Sequence, residues 1–272
     1  MWKDTFLRKN GNEDENRRQN YVEEKQDHPA GAGCVYPVLR RGGGACRGKD
    51  YVSDAGLEQE ADGVSFHEGT ITVFKPGTYE LAGSLTDGQI YVNCADDGKV
   101  VLILSGVSIN NETSAALQIG KCKPGVELTL TEGTENVISC GPEAIPDPDE
   151  DPNSAVYSRS DLSIGGTGSL LVRAESGDGI VSKDDLVILS GIITVEAKNH
   201  GLKGKDCVEI YDGQLEITAG KDGIKSTNKD SSERGYVAIK GGTINIIAGD
   251  EPIQVVTGLT IENAKITVKM SK

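Results

Sequence analysis

Four short segments share one pattern of chemistry-bearing residues. Asp178-Gly179-Ile180, His200-Gly201-Leu202, Asp222-Gly223-Ile224 and Glu251-Pro252-Ile253 follow one another at spacings of 22, 22 and 29 residues, and Ser154-Ala155-Val156 begins one more unit 24 residues before Asp178. Six residues after the first four starts in chain order stand Ser160, Asp184, Asp206 and Asn228, all oxygen bearers. Oxygen donors at equal offsets suit a hard divalent cation, because calcium takes oxygen ligands at about 2.3–2.6 Å. If the repeats stack, neighbours in one column lie about 4.8 Å apart. An ion midway between two stacked carboxylates then meets both, and it reverses the sign of an otherwise costly like-charge contact. Asp184, Asp206 and Asn228, with the starts Asp178 and Asp222, are therefore candidate calcium ligands. A purely structural reading competes, since Asp-Gly is a common turn pair and Asp or Asn can bond turn backbone. Lys183, Lys205 and Lys225 stand close to these carboxylates in sequence, as ion-pair partners or as solvated charges.

Other metal chemistry finds less support. The six cysteines are Cys34, Cys46, Cys94, Cys122, Cys140 and Cys207, with no CxxC among them, and there are three His, far apart. Zinc needs clustered thiolates or imidazoles. Cys94, Cys122 and Cys207 lie in or beside apolar stretches and read as buried small hydrophobes; a Cys122–Cys140 bridge is one further reading. The acidic loop around Asp147, Asp149, Glu150 and Asp151 lacks the glycine and spacing of a helix-loop-helix calcium site and reads as a solvated protrusion.

The elements that hold the columns are legible from period-two apolar positions, the signature of strands. Leu186 and Ile188 correspond to Val208 and Ile210, then Val237 and Ile239, then Leu259 and Ile261. Ile193 and Val195 correspond to Leu215 and Ile217, Ile244 and Ile246, Ile266 and Val268. Each unit thus contains three short strands, punctuated by glycines such as Gly191, Gly213 and Gly242. Three strands per repeat of about 22 residues describe an all-β fold, a parallel β-helix. Upstream, 69–94, 99–110 and 126–139 continue the same kind of pattern less regularly. The excess of the 29-residue interval is the loop Lys229–Gly235, expected to bulge from the coil.

Composition agrees. The chain of 272 residues is 36% hydrophobic and only 4% aromatic, with 35 Gly, which fits a slender core of small aliphatics. Residues 51–272 carry 18 Lys and Arg against 34 Asp and Glu. That surface repels nucleic-acid phosphates and anionic membranes and favours cations, or anionic polymers reached through cations. No apolar run approaches the roughly 20 residues of a membrane helix. Residues 1–50 are polar and aperiodic, then glycine-rich and basic, and read as a disordered or poorly packed segment without a signal-peptide pattern. The expected division is 1–50 and a β-helix domain over 51–272.

The stretches SRSDLSIGGTGSLLVRAESGDGIVSKDDLVILSGIITVEA, KDGIKSTNKD and the paired DGQIYVN and LSGVSIN resemble a bacterial carbohydrate-binding family over roughly residues 60–270. Its members are calcium-binding, pectate-lyase-like, right-handed β-helices. The resemblance implies bound calcium, an extracellular or cell-surface location, and binding of plant polysaccharides such as polygalacturonate or cellulose without established cleavage. Carried over residue by residue, it adds Asp185 to the candidate ligands and supports Asp178, Asp184, Asp222 and Asn228. His200 and Asn199 depart from the family's Asp-rich corner.

Three functions follow as expectations. The first is non-catalytic, calcium-dependent binding of plant cell-wall polysaccharide, with Tyr157, Tyr211 and Tyr236 as candidates for sugar stacking. The second is a pectate-lyase-type enzyme, which needs a base among Arg173, Lys183, Lys205 and Lys225 near the calcium. The third is a structural or adhesive solenoid.

Overall fold

The computed structural model describes residues 50–54, 56–57, 62–144 and 152–271. The readings for residues 1–49, for the acidic loop at Asp147, Asp149, Glu150 and Asp151, and for Cys34 and Cys46 lie outside them. Among the described residues all regular structure is strand.

From Ser154 onward each repeat contributes one strand to each of three parallel ladders. The first face stacks Ser154–Ser158, Asp178–Ser182, Leu202–Gly204, Ile224–Ser226 and Ile253–Gln254. The second stacks Leu162–Gly166, Asp185–Ile188, Cys207–Ile210, Tyr236–Ile239 and Gly258–Ile261. The third stacks Ser169–Ala174, Ile192–Ala197, Gln214–Ala219, Thr243–Ala248 and Lys265–Met270. Register follows the apolar pattern residue for residue. Ile180, Leu202, Ile224 and Ile253 form one column, and Ile193, Leu215, Ile244 and Ile266 another. All but the last member of each column are fully buried.

The interior these columns enclose is narrow, and that sets the glycine after each corner residue. Gly179, Gly201 and Gly223 lie at the start of first-face strands with ordinary backbone angles. A Cβ on Gly179 would sit 2.4 Å from Val195 Cγ1 and 2.7 Å from Gly201 O. Gly201 meets Ile217 Cγ2 at 2.5 Å and Gly223 meets Ile246 Cγ2 at 2.4 Å in the same way. The Asp-Gly pair is thus no tight turn. It is the place where the first and third faces approach most closely, which only a residue without a side chain permits.

Upstream the ladders continue, with one difference from the expectation of separate short strands. Val100–Asn111 pairs with Val126–Leu130 over its first half and with Glu135–Cys140 over its second. The second and third faces are therefore joined there into one sheet. Gly77–Leu85 runs beside it with a register shift between Leu81 and Gly83. Gly83 and Gly106 take φ of +106° and +90°, bending each strand around the corner without ending it.

The loop Lys229–Gly235 is mostly exposed, and ladder pairing holds on both sides of it, at Lys225 with Gln254 and at Cys207 with Tyr236. It also folds back, through Arg234, onto the site described next. The Cys122–Cys140 pairing does not occur. Both are free, Cys122 on a first-face strand and Cys140 on a third-face strand.

Candidate metal centre

The six predicted ligands separate into two groups on either side of the first-face strands. Asp178 and Asp222 stand where each strand is entered; Asp184, Asp185, Asp206 and Asn228 stand beyond its end, at the entry to the second face.

The entry group is closed by the protein itself. Asp178 Oδ1 accepts the His200 N–H at 3.0 Å, and its Oδ2 lies 3.1 Å from Lys203 Nζ. Asp222 Oδ1 accepts the Glu251 N–H at 3.0 Å, and its Oδ2 accepts from Lys225 Nζ at 2.9 Å. His200 fills the rung between them, with Nδ1 3.2 Å from Asp222 Oδ2 and Lys225 Nζ 3.5 Å from Nε2. Each corner residue thus meets a backbone N–H of the next rung, the accounting that buried donors require. Burial alone would raise the pKa of Asp222, but the Lys225 hydrogen bond, the Glu251 N–H and the charges of Lys225 and His200 outweigh it and hold it low. Burial pushes His200 below the usual histidine value, and the Lys225 and Lys203 charges add to this against the pull of Asp178 and Asp222. Lys203 and Lys225 occupy consecutive rungs of one column and act as tethered cations for it.

The exit group is built differently. Leu162 pairs with Leu186, which sets Asp161 over Asp185; the Asp185 N–H points to Asp161 Oδ1 at 3.4 Å. Carboxylate oxygens of Asp161, Asp184 and Asp185 all lie within 4.8 Å of one another. Asp206 stands one rung beyond Asp184, its N–H donating to Asp184 O at 3.2 Å. Asn228 follows, donating from Nδ2 to Asp206 Oδ1. Arg234, returning from the exposed loop, donates to Asp206 Oδ2. Ser160 does not join. Its hydroxyl accepts the Cys122 N–H, and its carbonyl accepts the hydroxyls of Ser158 and Ser182.

Electrostatics set Asp184 and Asp185 above the usual carboxylate range. Burial, a hydrogen bond shared with the Asp206 carboxyl and the charges of Asp161 and Asp206 push Asp184 up to about 7, with Arg234 opposing. Burial raises Asp185 as well, partly offset by the Cys207 thiol donating to its Oδ1 at 3.2 Å. The donor set fits calcium. Two oxygens bound to one ion at about 2.4 Å lie no more than about 4.8 Å apart, and these three carboxylates satisfy that limit. Asp161, Asp184 and Asp185 would hold such an ion, with Asp206 next in the stack.

Asp161 was missed at the sequence level, although the signal was present. Aligning Ser154 with Asp178 places Asp161 opposite Asp185, so in these two repeats the seventh position carries a carboxylate beside the sixth, before Cys207 and Lys229 take its place. The tyrosines divide too. Tyr157 is fully buried and cannot stack on a sugar. Tyr211 and Tyr236 both donate their hydroxyls to Glu209, at 2.8 and 2.6 Å.

Comparison with known proteins gives one consistent result. Residues 67–272 match the family described as "Carbohydrate-binding domain-containing protein". A protein of that description from Acetivibrio thermocellus is 39% identical over 211 residues, covering 77% of this chain and 73% of its own length. A solved structure, described as the polysaccharide lyase-like protein from C. thermocellum in a gadolinium derivative, superposes with a TM-score of 0.77 at 40% identity. The match covers 82% of this chain and 90% of that one.

Proposed function

The chain belongs to the carbohydrate-binding domain-containing protein family, and on that premise we propose that it is a right-handed parallel β-helix that binds plant cell-wall polysaccharide through calcium without cleaving it. The observation that carries the calcium part is the convergence of Asp161, Asp184 and Asp185 with Asp206 one rung on. Asp161, Asp184 and Asp185 would hold a calcium ion there, which would neutralise carboxylates that otherwise oppose one another and would supply a cationic contact for the carboxylates of an acidic polymer such as polygalacturonate. Stacked rungs offer a repeating surface to a repeating chain. Gadolinium, present in the solved relative by its description, is likewise a hard, oxygen-seeking cation, which supports this reading. Such a ligand lies outside the bacterial cell, so the protein's place is extracellular or on the cell surface.

The test is retention in gels cast with polygalacturonate or with cellulose, in calcium and in chelator. Slower migration on polygalacturonate in calcium, lost in chelator and lost in the Asp184→Asn, Asp185→Asn double variant, is the expected outcome. Equal migration in every gel would remove the function.

The relative's description as polysaccharide lyase-like favours one alternative, cleavage by β-elimination. That step needs a base able to accept the sugar's C5 proton. Of the candidate bases, Lys225 is bound to Asp222 and Arg173 to Glu196, Lys183 lies over the Tyr157 ring, and Lys205 is exposed beside Asp206. An ammonium or guanidinium engaged as a donor to a carboxylate has no lone pair to offer, which counts against Lys225 and Arg173 and leaves Lys205 as the base that cleavage would use. Absorbance from unsaturated uronate on incubation with polygalacturonate and calcium would establish the enzyme instead.

A further inference from the structure

We propose that Cys94 and Cys122 are a cross-linking site: a disulfide between them ties together two successive strands of the first face. The strands Gln89–Asp97 and Leu117–Lys123 run parallel, with Val92 opposite Ile119. A bulge then brings Asn93 opposite Lys121. A second shift follows before Asp97 and Lys123, and Cys94 and Cys122 lie between these two irregularities, on adjacent rungs. Both side chains point into the same core and are almost wholly buried. Neighbouring parallel strands are spaced about 4.8 Å apart, within the roughly 4.4–6.8 Å Cα separation that a disulfide spans. Both are free thiols, Cys94 Sγ directed to Val73 O at 3.8 Å and Cys122 Sγ to Gly125 O at 3.2 Å, and each lies near enough to shift the other's proton affinity.

The remaining described cysteines have no such partner. Cys140 lies on the third face with its thiol directed to Ser176 O. Cys207 opposes Asp185 and donates to it. Two stacked cysteines therefore stand apart from two solitary ones, in a fold where stacking makes sequence-distant residues neighbours.

The oxidant is an external disulfide, RSSR, such as glutathione disulfide. One thiolate attacks a sulfur of RSSR, forming a mixed disulfide and releasing RS⁻. The second thiolate then displaces the other RS⁻. Two electrons pass from the cysteine pair to RSSR, and the two protons leave with the RSH products. Burial pushes Cys94 up to about 12 and raises Cys122 as well, so the folded thiols are poor nucleophiles. The bond forms while the first rungs are still closing, and once made it is shielded from reductant.

The full chain refolded in an oxidising glutathione buffer, then alkylated in denaturant and mapped by mass spectrometry, tests this. The expected result is a linked peptide pair containing Cys94 and Cys122, with Cys140 and Cys207 alkylated. The same protein should unfold at higher urea than its reduced form. That difference should vanish in Cys94→Ser and persist in Cys140→Ser. Recovery of Cys94 and Cys122 both alkylated, or each linked to another cysteine, overturns the proposal, and this readout needs no variant to fold.

Discussion

Asp222 and Asp184 are both corner aspartates held at a junction of the same stacked repeats, yet their charged surroundings are opposite in sign. Asp222 has Lys225 at 2.9 Å and a backbone N–H on its other oxygen, as Asp178 has Lys203 and the His200 N–H. Asp184 has other carboxyl groups as its strongest electrostatic neighbours, Asp161 and Asp206. The difference comes from what the neighbouring positions supply. At the strand entry the repeat places a lysine on the adjoining column; at the exit it places a second aspartate, Asp161 or Asp185, beside the first. A stack of acids is tolerable either with a built-in ammonium or with an ion from solution; this protein shows the first at the strand entry, and at the exit it sets carboxylates against one another.

Removing an entry aspartate should have the largest effect, and calcium should not alter it. Asp222→Ala strands Lys225 and the Glu251 N–H in a largely buried corner, at a cost of roughly 3 kcal/mol. Urea unfolding with and without calcium should show the same loss. A loss that calcium restores would mean that the entry column binds ions after all.

At the exit the effect should come from the ion. Calcium at 100 times its Kd stabilises a folded state that alone binds it by about 2.7 kcal/mol. Thermal unfolding should show that gain in the wild type and in Asp178→Asn, and none in the Asp184→Asn, Asp185→Asn double variant. An equal gain in all three proteins would place the ion elsewhere.

The two columns should also bend the stability curve in opposite directions with pH when calcium is absent. Asp184 has a folded pKa raised from 3.8 to about 7. The folded chain therefore holds a proton that the unfolded chain has released, and this contribution is full below about 3.8 and lost as pH rises through about 7. His200 is lowered from 6.5, so its contribution is full above about 6.5 and lost as pH falls toward its folded value. After allowance for solvent screening the Asp184 effect is of order 1 kcal/mol. Asp184→Asn should remove the loss on the alkaline side, and His200→Gln the loss on the acid side. A curve that neither variant changes would break the contrast.

The smallest effect belongs to Arg234. Its half-exposed guanidinium competes with any cation for Asp206. Arg234→Ala should tighten calcium binding by up to about fivefold, the equivalent of about 1 kcal/mol for an exposed pair, as read by calorimetric titration. Weaker binding in that variant would show that Arg234 supports the site.

The repeat period, the three strands per rung and the interior columns could be read from the chain alone, because parallel stacking turns equal offsets into contact and period-two burial leaves its trace in residue type. Ile180 over Leu202 over Ile224 is a sequence-level statement that the register reproduces. Candidate ligands were legible to the same extent, as positions in a column. What only the folded molecule decided is which columns meet. Asp161 and Asp184 sit at different offsets of successive repeats and converge only because the chain turns between two faces there. Lys203 neutralises Asp178 from a rung away, and Arg234 reaches Asp206 from the end of an exposed loop. Periodicity records which face a side chain occupies, whereas the sign and distance of its charged neighbours depend on how corners close in space. The fold was therefore written in the pattern, and the division of its aspartates between lysine partners and carboxylate neighbours was set by tertiary contact.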